Sequence, residues 1–264
     1  IGTISGHLYA QNIRKASALN IAAGASVGDI LATARLTATA STDSSAITMS
    51  GGALGNVGGA LTSTGSAGRG YGIFATNSAV IGNILDTATI SGYSENENSY
   101  GIYLNGSASM GYFAGNIVST TSALNSTAYG LTLMGGNTMT TFSGKIRTEG
   151  YYSAAGYQVL GGSTAGDLLE GTNIYARSVT GQSYGVRVSD AGSRIGNVAG
   201  TFYSEFTGSH AYGIVIANSA SAGAITGAAS ISAKSGDWYA SGLLASNYGT
   251  FEAVSGKIYA ENAS

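Results

Sequence analysis

The sequence predicts an all-β protein, a parallel β-helix (β-solenoid) of nine to ten rungs, with about 28 residues per coil and three short strands in each coil. Three observations support this prediction: a repeat that runs through the chain, apolar residues at alternate positions within each repeat, and a composition of 42 Gly and no Pro among 264 residues. Every strand inside a stack needs its backbone N–H for the ladder, and Pro has none. We therefore expect residues 1–264 to form one continuous solenoid domain without evident caps.

The first landmark of the repeat is an apolar residue followed two positions later by a small one. From Leu8 to Ile258 the chain advances 250 residues in nine steps, which sets the period. The second landmark, a Gly followed by an apolar residue, recurs with the same period. The ten copies of the first landmark are Leu8, Leu36, Leu61, Ile90, Ile117, Ile146, Ile174, Phe202, Ile231 and Ile258, and the clear copies of the second are Gly72-Ile73, Gly101-Ile102, Gly130-Leu131, Gly185-Val186, Gly213-Ile214 and Gly242-Leu243.

A third landmark is a four-residue pattern: an apolar residue comes first, the second residue is usually Gly, the third varies, and the fourth is again apolar, as in Ile81-Gly-Asn-Ile84. It precedes the first landmark by four or six residues. An even spacing keeps every apolar side chain on the same face of a strand, which indicates that all of them enter one core. The residue two positions after the first landmark is small throughout, which predicts a tight corner inside the coil. No segment carries apolar residues at helical spacing, so the sequence does not predict helices.

Composition limits the classes of function. Charged residues make up only 9% of the chain and the formal net charge is −2, so no basic surface for nucleic acid is expected. There is no Cys, and no stretch approaches eighteen consecutive apolar residues, so we predict neither disulfides nor a membrane span. The motifs indicate no cofactor.

One column of outward residues, three positions after the first landmark, alternates in charge. If successive rungs stack, each charge lies between two opposite charges. Exposed pairs contribute on the order of 0.2 to 1 kcal/mol each, so we expect this charge ladder to specify register more than stability. The residues of the ladder are Glu149, Arg177, Glu205, Lys234 and Glu261.

The acids of the ladder also raise the possibility of an enzyme, since glycan-cleaving enzymes use paired carboxylates. Glu149, Glu205 and Glu261 are separated by two rungs, near 10 Å, and interleaved with cations, so we favour a structural ladder and expect no catalytic activity. A cation site at Asp86, Glu95 and Glu97 is weighed against a solvated loop, which we favour. His7 and His210 lie too far apart in rung order for a shared metal.

Aromatic residues form two further groups. A column of tyrosines precedes the Gly of the second landmark, and we expect it to pack at a corner of the coil. By strand alternation the outward aromatic residues are better placed to contact a glycan or a protein, and we assign Tyr175, Tyr203, Trp238 and Tyr239 as the candidate contact face. The corner column consists of Tyr71, Tyr100, Tyr129, Tyr184 and Tyr212. A flat array of Thr37, Thr39, Thr62 and Thr64 could order water as ice-binding faces do, but it spans only two rungs.

The pieces Ser99-Tyr-Gly-Ile102, Ser183-Tyr-Gly-Val186 and Ala211-Tyr-Gly-Ile214, each followed by further Gly-, Ser- and Asn-rich repeats, carry a resemblance. They are similar to the repeats of bacterial autotransporter passenger domains and related haemagglutinin-like surface proteins. The resemblance covers nearly the whole chain. It implies a parallel β-helix that is exported across the cell envelope and displayed as a rod outside the cell, on the bacterial surface.

The two ends of the chain carry the same phase of the repeat. Residues 1–12 and 251–262 align without gaps, and neither looks like a polar cap. We predict an interface between rung ends, formed by Ile1, Ile4, Leu8, Tyr9, Val254, Ile258 and Tyr259. The predicted function is a non-enzymatic extracellular structural protein that stacks end to end with further copies, or with more of the same chain, into a filament or surface fibre. The alternative is a surface adhesin that binds glycans through its aromatic side face.

Overall fold

The computed structural model describes residues 1–236 and 238–263, and its fold is an all-β parallel solenoid. Strands of 2 to 11 residues follow one another around the coil and pair only with their equivalents one coil away. The predicted fold class, the three strands per coil and the period of about 28 residues are confirmed. No helix occurs in the part of the chain that is described, hence none that is long and apolar enough to cross a bilayer.

The strands, numbered in chain order, form three parallel sheets. The first sheet contains ten strands: β1 (His7–Asn12), β4 (Arg35–Ala40), β7 (Ala60–Gly65), β10 (Thr89–Ser94), β13 (Asn116–Thr121), β16 (Lys145–Gly150), β19 (Asn173–Ser178), β22 (Val198–Phe206), β25 (Ile225–Ser235) and β28 (Lys257–Asn262).

The second and third sheets contain nine strands each. The second consists of β2 (Ala16–Ala22), β5 (Ser44–Ser50), β8 (Gly70–Thr76), β11 (Ser99–Asn105), β14 (Thr127–Met134), β17 (Ser153–Leu160), β20 (Gln182–Ser189), β23 (His210–Ala217) and β26 (Tyr239–Ser246). The third, of short strands, consists of β3 (Ser26–Val27), β6 (Ala53–Leu54), β9 (Val80–Ile81), β12 (Ser109–Met110), β15 (Thr138–Met139), β18 (Thr164–Ala165), β21 (Arg194–Ile195), β24 (Ser221–Ala222) and β27 (Thr250–Phe251).

Landmarks of the sequence repeat become columns of the structure. In the first sheet Leu8 pairs with Leu36, and Ile90 pairs with Ile117, so each landmark residue lies directly over the next. The second apolar residue of the third landmark forms a column of single bridges between the third and first sheets, which begins at Ile4. Equivalent residues are one strand spacing apart, about 4.8 Å, so identical environments repeat along the axis.

Inward columns fill the core with apolar side chains. In the column of single bridges Phe113 stacks on Phe142 with ring centroids 4.8 Å apart and planes 4° apart, and both side chains are fully buried. Phe142 also packs against Tyr157, whose centroid is 5.7 Å away and which is buried as well. Burial raises the pKa of Tyr157 above its ordinary value. Stacked aromatic pairs of this kind add about 0.5–1.5 kcal/mol beyond the area they bury.

The recurrence of Gly at the second landmark has a steric cause. A Cβ added to Gly130 would overlap the Cγ2 atom of Ile146 and the carbonyl oxygen of Gly156. Gly101 stands in the same relation to Ile117. The first and second sheets therefore approach each other closely at this level, and Gly leaves room for the Cγ2 methyl group where the landmark residue is Ile.

The predicted tight corner is present between the first and second sheets. Small inward residues of the two sheets meet there, and buried serines form hydrogen bonds across the corner. The hydroxyl oxygen of Ser44 lies 2.7 Å from that of Ser63, and the hydroxyl oxygen of Ser99 lies 2.8 Å from that of Ser119. Each pair satisfies hydroxyls that would otherwise be buried without partners, a situation that costs about 1–3 kcal/mol per group.

The turn between the second and third sheets repeats an unusual backbone conformation. Asn77 and Ser78 have φ angles of 56° and 61°, and Gly51 and Gly52 occupy the preceding turn with 76° and 79°. Only Gly, and to a lesser degree Asn, adopts this left-handed conformation at low cost. Gly and Asn recur at this turn for that reason.

Candidate functional site

The charge ladder is assembled by backbone register on the outer face of the first sheet. Glu149 pairs with Arg177, Arg177 with Glu205, Glu205 with Lys234, and Lys234 with Glu261. Within the described ranges, the Lys234–Glu261 step is the only one of the four whose charged atoms come within 4.0 Å, at 3.9 Å. The alternating order of charges is therefore present, whereas a continuous chain of ion pairs is not.

Neighbouring outward residues explain the missing ion pairs. The Arg147 guanidinium donates from Nε to Glu149 over 2.9 Å, within the same strand. The Tyr175 hydroxyl donates to the Glu205 carboxylate over 3.0 Å. Arg147 and Tyr175 belong to the adjacent column, two positions before the charge ladder along each strand. They form the hydrogen bonds to Glu149 and Glu205 that Arg177 does not form.

The candidate contact face is divided between two sheets. Tyr175 and Tyr203 stack on the outer face of the first sheet, with centroids 5.5 Å apart and planes 16° apart. Tyr239 is the first residue of β26 in the second sheet and Trp238 immediately precedes it. Both rings pack beside His210, with centroids 6.4 and 6.0 Å away. The four residues thus form two separate patches. Sequence alternation did not reveal this, because the corner between the two sheets intervenes.

Burial affects the tyrosine of the first patch. Loss of solvent is the largest cause, and the hydrogen bond to Glu205 and the charge of that carboxylate act in the same direction; together they raise the pKa of Tyr175 to about 12. In the second patch Trp238 is 70% exposed. The second patch therefore offers more uncovered aromatic surface than the first.

The tyrosine column of the second landmark lies on the outer face of the second sheet, close to the corner. Tyr71, Tyr100 and Tyr129 stack with centroids 4.9 and 4.7 Å apart. Beside them Phe74 stacks on Tyr103 at 5.8 Å. Burial raises the pKa of Tyr100 above its ordinary value. Packing near a corner was expected, but the second aromatic column was missed, although its signal was an aromatic residue three positions after Tyr71 and Tyr100.

A second missed feature is a ladder of side-chain amides at the turn between the third and first sheets. Asn56 Oδ1 accepts a hydrogen bond from the Asn83 backbone N–H over 2.9 Å, and Asn83 Oδ1 accepts one from Tyr112 over 3.1 Å. Asp29 fills the same position one rung earlier and accepts from Asn56 N–H over 2.7 Å. The Asn of the repeated Ile-Gly-Asn-Ile piece is therefore structural, since it binds backbone that the short strands leave unpaired.

The predicted rung-end residues occupy the two ends of the described solenoid. Ile1 is 80% exposed, and Val254 and Ile258 are 48% and 42% exposed. Ile4 and Leu8, in the same first rung as Ile1, pack against the core and are half-buried. The outward Tyr9 and Tyr259 lie on the outermost strands of the first sheet, β1 and β28. The structure thus places the seven residues on two opposite faces.

The remaining candidate sites do not assemble. Asp86 lies in the turn before β10, and Glu95 and Glu97 lie in the turn after it. Throughout residues 1–236 and 238–263, no three His, Asp or Glu side chains gather in a way that could hold a metal ion. His7 is in the first strand of the first sheet and His210 near the other end of the second.

The threonine array is confirmed only as a small patch. Thr37 pairs with Thr62, and Thr39 pairs with Thr64, on adjacent strands. The next strand continues these columns with Ser91 and Tyr93, which ends the regular face.

Comparisons with protein-family models, with curated proteins and with solved structures gave no match for this chain. The solenoid fold is shown by the structure, while the resemblance to autotransporter passenger domains stays a prediction.

Proposed function

We propose that this chain is a non-enzymatic structural segment of an extracellular fibre, in which further β-solenoid rungs continue in register at its ends. The partner is either a second copy of the chain or more of the same chain. Export to a bacterial cell surface follows from the resemblance of the Tyr-Gly-Ile repeats and belongs to this proposal. Low charge favours such association, because little repulsion opposes it.

The observation that carries the proposal is the match between the two terminal rungs. If β1 of a following copy paired with β28, Ile258 would lie over Leu8, Tyr259 over Tyr9 and Ala260 over Ala10. These are pairs of the kind that stack inside the solenoid, where Ile231 pairs with Ile258 and Ala233 with Ala260. Exposed strand edges and apolar rung ends would leave water together.

The number of strands distinguishes the two kinds of partner. Ten strands form the first sheet and nine the second in the described ranges. Ile1 adds a further position next to the first strand of the third sheet, since its amino group donates to the Ser26 carbonyl and its carbonyl accepts from the Gly28 N–H. Two copies stacked with the same sheets aligned would therefore leave one strand position open in the second sheet, between β26 and the β2 of the next copy. A strand that follows β28 along the chain would fill this position, so direct stacking is the weaker of the two arrangements.

This difference defines the experiment. Appending a copy of residues 15–26 after residue 264 supplies the missing strand of the second sheet. The appended piece then ends at the equivalent of residue 26, so that Ile1 of the next copy takes the position that follows it in the repeat, which is that of Val27. We expect negative-stain electron microscopy to show long fibres for the extended chain and shorter or fewer ones for the 264-residue chain. The repeat spacing along a fibre should be about 48 Å per copy, because each copy adds ten strands to the first sheet at about 4.8 Å per rung.

Three variants distinguish stacking through the rung ends from nonspecific aggregation. Ile4→Lys and Ile258→Lys place a charge in the predicted interface and should abolish the fibres of the extended chain. Thr89→Lys, on the outer face of a middle rung, should leave them intact. Monodisperse rods from the extended chain, or fibres that persist in both interface variants, would contradict the proposal.

An adhesin is the second candidate function, and the exposed Trp238 with Tyr239 and His210 is the observation in its favour. Aromatic rings that keep one face uncovered are typical of contact surfaces. A glycan-array measurement on the non-stacking Ile4→Lys, Ile258→Lys double variant separates the two functions. Glycan binding that is lost in Trp238→Ala would support an adhesin that uses this patch. No glycan binding, or binding that Trp238→Ala leaves unchanged, would count against it.

A further inference from the structure

A recess of about 440 Å³ lies on the outer face of the second sheet, on its first three strands β2, β5 and β8. Register places the side chains that line it in three columns. The column nearest the corner contains Lys15, Asp43 and Arg69; the middle column contains Ser17, Ser45 and Tyr71; the far column contains Asn20, Thr48 and Phe74.

The recess exists because two aromatic stacks end there. Tyr71 and Phe74 are the last rings of the stacks that continue through Tyr100 and Tyr103. In the two preceding rungs the same columns hold Ser45 and Thr48 and then Ser17 and Asn20, which are short. The volume that further rings would fill is left open above a floor of hydroxyl and amide groups. Phe74 is half-buried and forms most of the apolar wall, since Tyr71 is 7% exposed.

The rim of the recess is positively charged overall. Lys15 Nζ lies 3.4 Å from Asp43 Oδ2, and the backbone N–H of Arg69 donates to Asp43 Oδ1 over 3.1 Å, so both carboxylate oxygens are engaged. Arg69 Nη1 donates to the Tyr71 hydroxyl over 3.4 Å. No carboxylate among the described residues lies within 4.0 Å of the Arg69 guanidinium, whose charge is therefore not neutralised by contact.

We propose that this recess binds an acidic saccharide, with a pyranose ring that continues the aromatic stack. The ring would lie against Phe74 and the uncovered edge of Tyr71, at the level of Ser45 and Thr48. Its carboxylate would pair with the guanidinium of Arg69, which presents two parallel N–H donors. This site is separate from the rung ends, so the proposal does not depend on fibre formation.

The polar floor decides between a saccharide and an aromatic side chain of a protein. The Ser17 hydroxyl already donates to the Leu19 carbonyl over 2.9 Å. An aromatic ring placed over Asn20, Ser45 and Thr48 would remove water from their polar atoms without supplying partners, which is costly. The hydroxyl groups of a sugar donate and accept and can pair with all of them. A site that combines an apolar wall with a few converging polar groups is typical of small-ligand pockets.

Isothermal titration calorimetry with a glucuronate-containing disaccharide tests the proposal, with the corresponding neutral glucose disaccharide as the matched ligand. We expect the acidic disaccharide to bind at least about tenfold more tightly than the neutral one, as loss of a charge-assisted hydrogen bond predicts. Arg69→Gln should remove this preference. Arg187→Gln is the matched control, because Arg187 lies over the Tyr184 ring at 5.4 Å on the same sheet but away from the recess.

A second variant closes the recess without removing any contact of the fold. Ser45→Tyr extends the stack of Tyr71 and Tyr100 by one ring, so it should fold with unchanged circular dichroism and lose binding of both disaccharides. Several results would overturn the assignment: no binding of either disaccharide by the unmodified chain at millimolar concentration, equal binding of the two, or binding retained in folded Ser45→Tyr.

Discussion

Middle and terminal rungs of this solenoid carry the same repeat but bury it differently. In the landmark column Ile146 is 2% exposed and Ile258 is 42% exposed. In the column of single bridges Phe142 is fully buried, while Val254 is 48% exposed. Position within the coil thus decides only which way a side chain points. Burial depends on whether a rung is present on both sides, as in other quasi-one-dimensional repeat proteins.

The difference between middle and terminal rungs can be tested first by making the same substitution at two positions of the landmark column. Ile146→Ala should lower the free energy of unfolding by about 2–5 kcal/mol, because it leaves a cavity between two rungs. Ile258→Ala should cost less than half as much, since that side chain is already partly in water. Urea denaturation measures both, and hydrogen exchange shows whether only the terminal rung opens. Equal losses would contradict the rung-by-rung description.

Glycine substitutions sharpen the same contrast. Gly130→Ala forces a methyl group into Ile146 and should cost about 1–3 kcal/mol, as overpacking does. At Gly242 the obstructing atom is Cγ2 of Ile258, in the last rung, which can move, so Gly242→Ala should cost less. Gly227→Ala is the control, because a Cβ there meets no atom within 4 Å. Thermal unfolding of the three variants should rank them in that order.

Two outward tyrosines should respond differently to salt. Burial is the largest cause that raises the pKa of Tyr175, whereas the charge of Glu261 is the largest cause that raises the pKa of Tyr259. Salt screens exposed charges but does not reverse burial. Added salt should therefore lower the Tyr259 pKa and leave most of the shift at Tyr175.

The sign of the effect on stability follows from proton binding. Tyr175 keeps its proton in the folded state up to a pKa of about 12, while an unfolded tyrosine loses it near the ordinary pKa of about 10. The folded state then binds more protons, so this contribution is fully present below pH 10 and is lost as pH rises through 12. NMR titration of tyrosines labelled at Cζ, assigned with Tyr175→Phe and Tyr259→Phe, measures both pKa values. Equal salt responses would refute the distinction.

The charge ladder should give the smallest effect. Lys234→Gln removes the 3.9 Å ion pair with Glu261, and both side chains are more than 40% exposed, so we expect a loss below about 0.5 kcal/mol. Arg177→Gln, in a middle rung without such a pair, should change stability by even less. Denaturation at low and high salt measures both. A larger loss for Arg177→Gln would show that its longer-range interactions with Glu149 and Glu205 matter.

Sequence patterns predicted the columns of this protein more accurately than its surfaces. Alternation of apolar and small residues placed Leu8, Ile90 and Ile258 in one inward column, because strand geometry alone fixes which face a side chain points to. The same alternation could not show that Tyr175 and Trp238 lie on different sheets. It also could not identify the partner of a charged group, since Glu149 binds Arg147 along its own strand while Arg177 lies directly above it.

The repeat pattern was enough to predict the period, the parallel stacking of three sheets and the inward residues, since a regular repeat admits one register in which all apolar residues enter the core. The contacts between one sheet and the next could be learned only from the folded structure. It placed the landmark Gly against Ile146, joined the buried serines across the corner, and used Asn56 and Asn83 to bind backbone at a turn. It also left a recess where the aromatic stacks end at Ser45 and Thr48. Such contacts depend on distances across corners of the coil, which no spacing along the chain records.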